Sequence, residues 1–78
     1  MPIEELVAFI ARMLVRDPSA VEVEEIGDER SRAVRLRVAP DDRGRVIGKE
    51  GRMAKAIRTI LAVVSARDGM KAKLDIVD

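Results

Sequence analysis

Apolar residues recur along this chain with two periods, and each switch of period marks a new element. Ile3, Leu6, Val7, Ile10, Met13 and Leu14 fall at three- and four-residue intervals, which lays them on one stripe of a helix. Pro2 suits a first helical position, where its missing N–H has no partner to lose. Glu4 and Glu5 stand at the positive end of that helix's dipole, with Arg12 and Arg16 toward the negative end. Asp17-Pro18 predicts its stop, because the residue before a proline is pushed out of the α region. Val21 to Ile26 leans toward β, Gly27-Asp28-Glu29 supplies a turn, and Val34, Leu36 and Val38 then alternate with Arg35 and Arg37 as in a strand with one buried face. Pro40-Asp41-Asp42 predicts a turn whose carboxylate caps a short helix over Arg43 to Ile47. From Arg52 onward, Met53, Ile57, Ile60, Leu61 and Val64 predict another amphipathic helix, stopping near Gly69. Ala72, Leu74 and Ile76, alternating with Lys71, Lys73 and Asp75, predict a last strand.

The order helix, strand, strand, helix, helix, strand has no linker, repeat or low-complexity segment inside it. It predicts an α+β fold in which three helices cover one face of a three-stranded sheet and Arg35 and Arg37 are solvated on the other. With 78 residues the expectation is one domain over 1–78. A chain of this size buries only about 60% of the surface it exposes when unfolded.

Composition then removes several chemistries. Without cysteine or histidine there is no disulfide framework, no zinc site of the usual ligands, and no thiol or imidazole catalyst, which suits a reducing compartment. The apolar run from Ile60 to Val64 is too short to cross a bilayer, and Glu4 and Glu5 stand where a signal peptide is basic. The expectation is a cytoplasmic protein with no membrane partner, no cofactor and no metal. Nor does an enzyme emerge. Asp41-Asp42 reads as helix capping, Glu22, Glu24 and Glu25 as exposed strand charge, and Ser31 and Ser65 have no evident activating base.

The net charge of +1 conceals a lopsided distribution. Residues 1–31 carry three basic and eight acidic side chains, whereas residues 32–78 carry twelve and six. Between Arg43 and Arg58 stand Arg43, Arg45, Lys49, Arg52, Lys55 and Arg58 against the single acid Glu50, so the positive field is local. A solvated helix face is the plain explanation of such a run; the residues inside it argue for more.

Gly48-Lys49-Glu50-Gly51 is the whole connection between two predicted helices. Glycine reaches positive φ without steric cost, so geometry alone explains the pair. It does not explain a lysine at the tip with Arg52, Lys55 and Arg58 just beyond. Glycine also admits close approach of another backbone, and a helix amino terminus behind it offers unpaired N–H groups and a positive dipole end, a place for a phosphodiester. A P-loop fails, because only three residues separate Gly44 from Gly48 where it needs four, and Lys49 is followed by Glu50. A dinucleotide fingerprint fails too, since the glycines do not fit G-x-G-x-x-G and no long βαβ unit surrounds them. A G-x-x-G clamp between two helices fits the spacing.

In this setting VIGKEG resembles the signature of the KH domain, a single-stranded nucleic-acid binding fold. The helix-strand pair ahead of a strand-helix-helix-strand core resembles its type II arrangement. RVAPDDRGRVIGKEGRMAKAIRTI as a whole resembles the KhpA family of very small bacterial single-KH proteins, and the likeness covers essentially the full chain. The resemblance implies that Gly48, Lys49, Glu50 and Gly51 clamp the sugar-phosphate backbone, with Arg45 and Arg52 as flanking phosphate contacts and Lys55 extending the track. Bases would lie in a groove beside the clamp, between helix and edge strand. One of Val46 and Ile47 lines that groove and the other enters the core; for Arg43 and Arg58, solvation and contact are both open.

Phe9 is the only aromatic and sits in the first helix, where packing or a partner surface is expected of it. Readers of the RRM and OB type depend on aromatic platforms and fit poorly, whereas an aliphatic KH groove needs none. The resemblance further implies a non-catalytic RNA chaperone acting with a KhpB-like partner or as a homodimer, and a link to cell-length control and peptidoglycan homeostasis. A protein-dimerisation module and a single-stranded DNA binder are the alternative readings.

Overall fold

The computed structural model describes residues 2–77. Helix α1 spans Ile3–Leu14, strands β1 and β2 Glu22–Gly27 and Ser31–Arg37, helices α2 and α3 Arg43–Ile47 and Arg52–Arg67, and strand β3 Lys71–Ile76. Single 3-10 turns lie at Pro18–Ala20, Pro40–Asp42 and Lys49–Gly51. The sheet order is β1-β2-β3. β2 pairs antiparallel with β1, placing Val23 opposite Leu36, and parallel with β3, placing Val34 opposite Leu74. Parallel neighbours need a long crossover, and α2, the glycine hairpin and α3 supply it.

Val34 and Leu36, alternate residues of the central strand, are wholly buried beneath the helices. Around them close Ile3, Val7 and Ala11 of α1, Val46 of α2, Ile57 and Leu61 of α3, and Leu74 of β3. α1 packs on β1 and β2, α3 on β3, and α2 against both other helices. Arg35 and Arg37 are exposed as expected, with Arg37 3.6 Å from Glu22 across the strand pair. α3 ends as the sequence predicts. The N–H groups of Gly69 and Met70 donate to the Ala66 and Ser65 carbonyls at 3.1 and 3.0 Å, closing a Schellman turn.

Several expectations change in the fold. Met13 is 64% exposed, and Ala8 and Ala11 are buried in α1 instead. Ala11 lies one turn from Val7, while Met13 stands far round the helix, and the small side chain lets the helix sit close on the sheet. Ile60 likewise leaves the predicted stripe of α3, where Ala54 and Ser65 join Ile57 and Leu61 inside. Glu25 is half-buried and paired with Arg32 at 2.5 Å, not a solvated strand charge. Strand β1 is shifted one residue along, ending on Gly27.

The largest change concerns Asp42. It does not cap α2: its backbone is already helical and its side chain makes no capping bond. Its buried carboxylate instead accepts the N–H groups of Arg16 and Asp17, each at 3.1 Å. Those bonds draw the chain out of α1 early. Val15 is already extended, so the helix stops at Leu14 and Pro18 merely opens the next turn.

The Arg16 N–H, opposed by burial and then helped by the Asp17 N–H and the Arg45 guanidinium, holds the Asp42 carboxyl below its ordinary 3.8. A folded value below the unfolded one means stability that is present above 3.8 and lost as pH falls through the folded value. Asp28, held down by the Ser31 and Arg30 N–H groups in the β1/β2 turn, acts in the same sense. Asp42→Ala is therefore expected to lower Tm at pH 7 by roughly 5–10 °C. Melting from pH 7 to pH 3 should show the gap to wild type narrowing in acid; a gap of constant width would refute this assignment.

Candidate nucleic-acid interface

Gly48 ends α2 with φ 78° and ψ 170°, and its N–H donates to the Gly44 carbonyl at 2.9 Å. This backbone region is essentially reserved for glycine. A Cβ here would also stand 2.7 Å from both Met53 N and Met53 Cβ, so the first turn of α3 lies directly on this residue. Gly51 has φ 76° and ψ 12°, with nothing within 4 Å of a would-be Cβ. The requirement at Gly51 is conformational; at Gly48 it is conformational and steric. Glu50 between them has φ 57°, the one positive-φ non-glycine among the described residues.

Three of the four hairpin residues thus hold left-handed backbone, and the turn is correspondingly sharp. Among the described residues, the bonds closing it draw on the N–H groups of Gly48, Gly51 and Arg52, and not on those of Lys49 or Glu50. The exposed tip presents main-chain amides and a lysine ammonium together, an arrangement that favours an anion.

Arg45 is exposed on α2, with Nε 3.2 Å from Asp42 Oδ1, so the carboxylate that ties α1 to α2 also steadies this guanidinium. Arg52 opens α3 and stands 3.9 Å from Glu50, both side chains being exposed; at that distance the attraction is weak and screened. Lys49 and Lys55 are exposed, and α3 carries no acidic residue from Arg52 to Arg67. Arg45, Ile47, Gly48, Lys49, Glu50, Gly51, Arg52 and Lys55 therefore reach the surface around one hairpin. Val46 does not. It is completely buried, so it belongs to the core and is removed from the predicted contacts, while Ile47, 36% exposed, is the member of the pair available to a groove. Arg43 is half-buried. For Arg58 the structure supplies a partner: its Nη2 donates to the Leu74 carbonyl of β3 at 3.2 Å, a contact across 16 residues that no local pattern announces. Among the described residues no helix is long and apolar enough to cross a membrane.

The order α-β-β-α-α-β, the mixed three-stranded sheet and the G-x-x-G hairpin between α2 and α3 define a type II KH domain. Residues 4–76 match the family described as KhpA/KhpB, KH domain. The chain belongs to that family, which is non-enzymatic. It is 45% identical over 73 residues to the RNA-binding protein KhpA of Caldanaerobacter subterraneus subsp. tengcongensis, covering 94% of this chain and 97% of that one. To the RNA-binding protein KhpA of Clostridium perfringens it is 43% identical over 74 residues, 95% of this chain and 99% of the other. Among solved structures, Era in complex with MgGDPNP and nucleotides 1506–1542 of 16S ribosomal RNA superposes with a TM-score of 0.69 at 20% identity. The match covers 97% of this chain and 30% of Era, and it speaks for the fold.

Proposed function

We propose that this chain is a non-catalytic KH module that binds single-stranded RNA, with Gly48 to Gly51 gripping the backbone and Arg45, Arg52 and Lys55 flanking it. The observation that carries the reading is the hairpin tip, where the Lys49 and Glu50 amides lie outside the hairpin's closing bonds beside cations on an acid-free helix. RNA binding by the KhpA relatives supports it. Ile47 contributes an aliphatic wall for bases. Without aromatic stacking, affinity for one short strand is weak, and pairing with a second KH chain raises it through effective concentration.

The finer reading is an RNA chaperone or post-transcriptional regulator in the cytoplasm, residues 1–78 acting as one KH domain beside a KhpB-like partner or a second copy. Cell-length control and peptidoglycan homeostasis attach to it through the family alone. In favour of a partner stand the exposed Phe9 and Met13 on α1 and Ile60 and Val63 on α3, two helices in mutual contact. Ultraviolet crosslinking of the native protein in cells, with identification of attached nucleic acid and attached protein, tests both parts. RNA joined at the hairpin and a KH protein joined through α1 or α3 are expected. Recovery of DNA alone, or of protein without any nucleic acid, would replace this reading with one of its alternatives.

A further inference from the structure

β1 forms the edge of the sheet away from β3 and α3. In β2 the Leu36 carbonyl accepts from Val77 on the β3 side, so by main-chain alternation Arg35 and Arg37 turn their polar groups to β1. The Asp28 N–H donates to the Ser31 carbonyl at 3.1 Å in the same phase. Glu22 and Glu24, opposite Arg37 and Arg35, therefore bond inward, and the N–H and C=O groups of Val23 and Glu25 face outward. Among the described residues no hydrogen bond outside the β1–β2 ladder takes them up.

This open edge has a walled groove beside it. Glu5, Ala8, Phe9 and Arg12 of α1 stand over Val23, and past Glu4 the groove continues to Ile26 and Gly27. Its wall is apolar where Phe9, 55% exposed, and Ala8 meet Val23. Its surroundings are acidic. Glu25 is already paired with Arg32, but Glu4, Glu5, Glu22 and Glu24 outnumber Arg12, and Glu22 is held only weakly by Arg37 at 3.6 Å.

We infer that the β1 edge docks a basic, extended segment of a partner protein, which joins the sheet as a fourth strand. Its main chain takes up the free groups of Val23 and Glu25; its apolar side chains enter the groove under α1, and its alternate lysines or arginines lie beside Glu22 and Glu24 on the open face. A second copy fits this edge poorly. Its own β1 would bring glutamates against glutamates, and its β3 has the Arg58 guanidinium on the Leu74 carbonyl. The surface is separate from the glycine hairpin, and the inference does not depend on the RNA-binding reading.

The probe is a short fluorescein-labelled peptide of alternating lysine and valine, followed by anisotropy against the whole chain. Two further versions carry N-methyl groups on the valine amides or on the lysine amides. One of these sets is expected to weaken binding about tenfold or more and the other to leave it nearly unchanged, because only alternate amides face β1. Loss with the valine set means an antiparallel guest, and loss with the lysine set a parallel one. Glu22→Lys/Glu24→Lys, folded by circular dichroism, is expected to weaken binding about tenfold. In two-dimensional amide spectra the peptide should move Val23 and Glu25 and leave residues 48–52 in place. Equal effects of the two methylated sets would reduce the contact to charge attraction and overturn the inference. So would no binding, equal binding of a glutamate-valine peptide, or a concentration-dependent dimer that moves Val23 and Glu25 without peptide. Oligouridylate moving those two amides would likewise overturn it.

Discussion

Replacing Lys49 and Glu50 together by aspartate is expected to abolish retention of single-stranded RNA while leaving the protein folded. Both side chains are exposed at the hairpin tip and neither enters the core. Aspartate also tolerates the left-handed backbone found at residue 50 better than most residues. The change removes the tip cation and sets two short carboxylates beside the tip amides, so a phosphate brought to the hairpin meets repulsion in place of attraction. Affinity should fall by about a hundredfold or more. With about three phosphate contacts in the wild type, log affinity should fall against log salt with a slope near −2. Circular dichroism and a melting curve check the fold, and anisotropy across a salt series checks the contact. A folded variant with wild-type affinity, or a flat wild-type salt response, would count against the clamp.

Gly48→Ala is expected to be the most damaging single-methyl addition in the hairpin, at about 3 kcal/mol or more, from an unfavourable backbone region combined with the clash on Met53. For a domain of this size that is a Tm lower by roughly 15 °C. Gly51→Ala has backbone strain but open space around the new methyl, and should cost only about 1 kcal/mol. Parallel thermal melts of the two variants decide the matter. Equal losses would mean that the packing of α3 on Gly48 contributes nothing, contrary to the 2.7 Å approaches.

What could be read from the sequence was what the chain's local chemistry dictates. The limits of α2, the hairpin glycines, the stop at Gly69 and the alternation in β2 and β3 each depend on residues a few positions apart, and each stands in the structure where the pattern puts it. Their order gave three helices over a three-stranded sheet, and its likeness to the type II KH arrangement came by resemblance. Contacts through space were hidden. Asp42 reads locally as a cap, yet its carboxylate is taken up by amides 25 and 26 residues away. Ala11 displaces Met13 from the core because closeness to the sheet matters more than side-chain size, which periodicity does not weigh. The choice between Val46 and Ile47 needed the direction in which α2 leans on its neighbours, and Arg58 needed the position of an edge strand still unformed when α3 is read in order.

The parallel mating of β2 with β3 has a consequence for synthesis. Val34 and Leu36 cannot be sealed from water until residues 71–76 have left the ribosome, because Leu74 supplies the last wall around them. A nascent chain lacking that stretch holds an antiparallel strand pair and separate helices with no enclosed interior, and long-range closure of this kind is slow compared with helix formation. The glycine hairpin therefore leaves the ribosome before the strand that completes its scaffold.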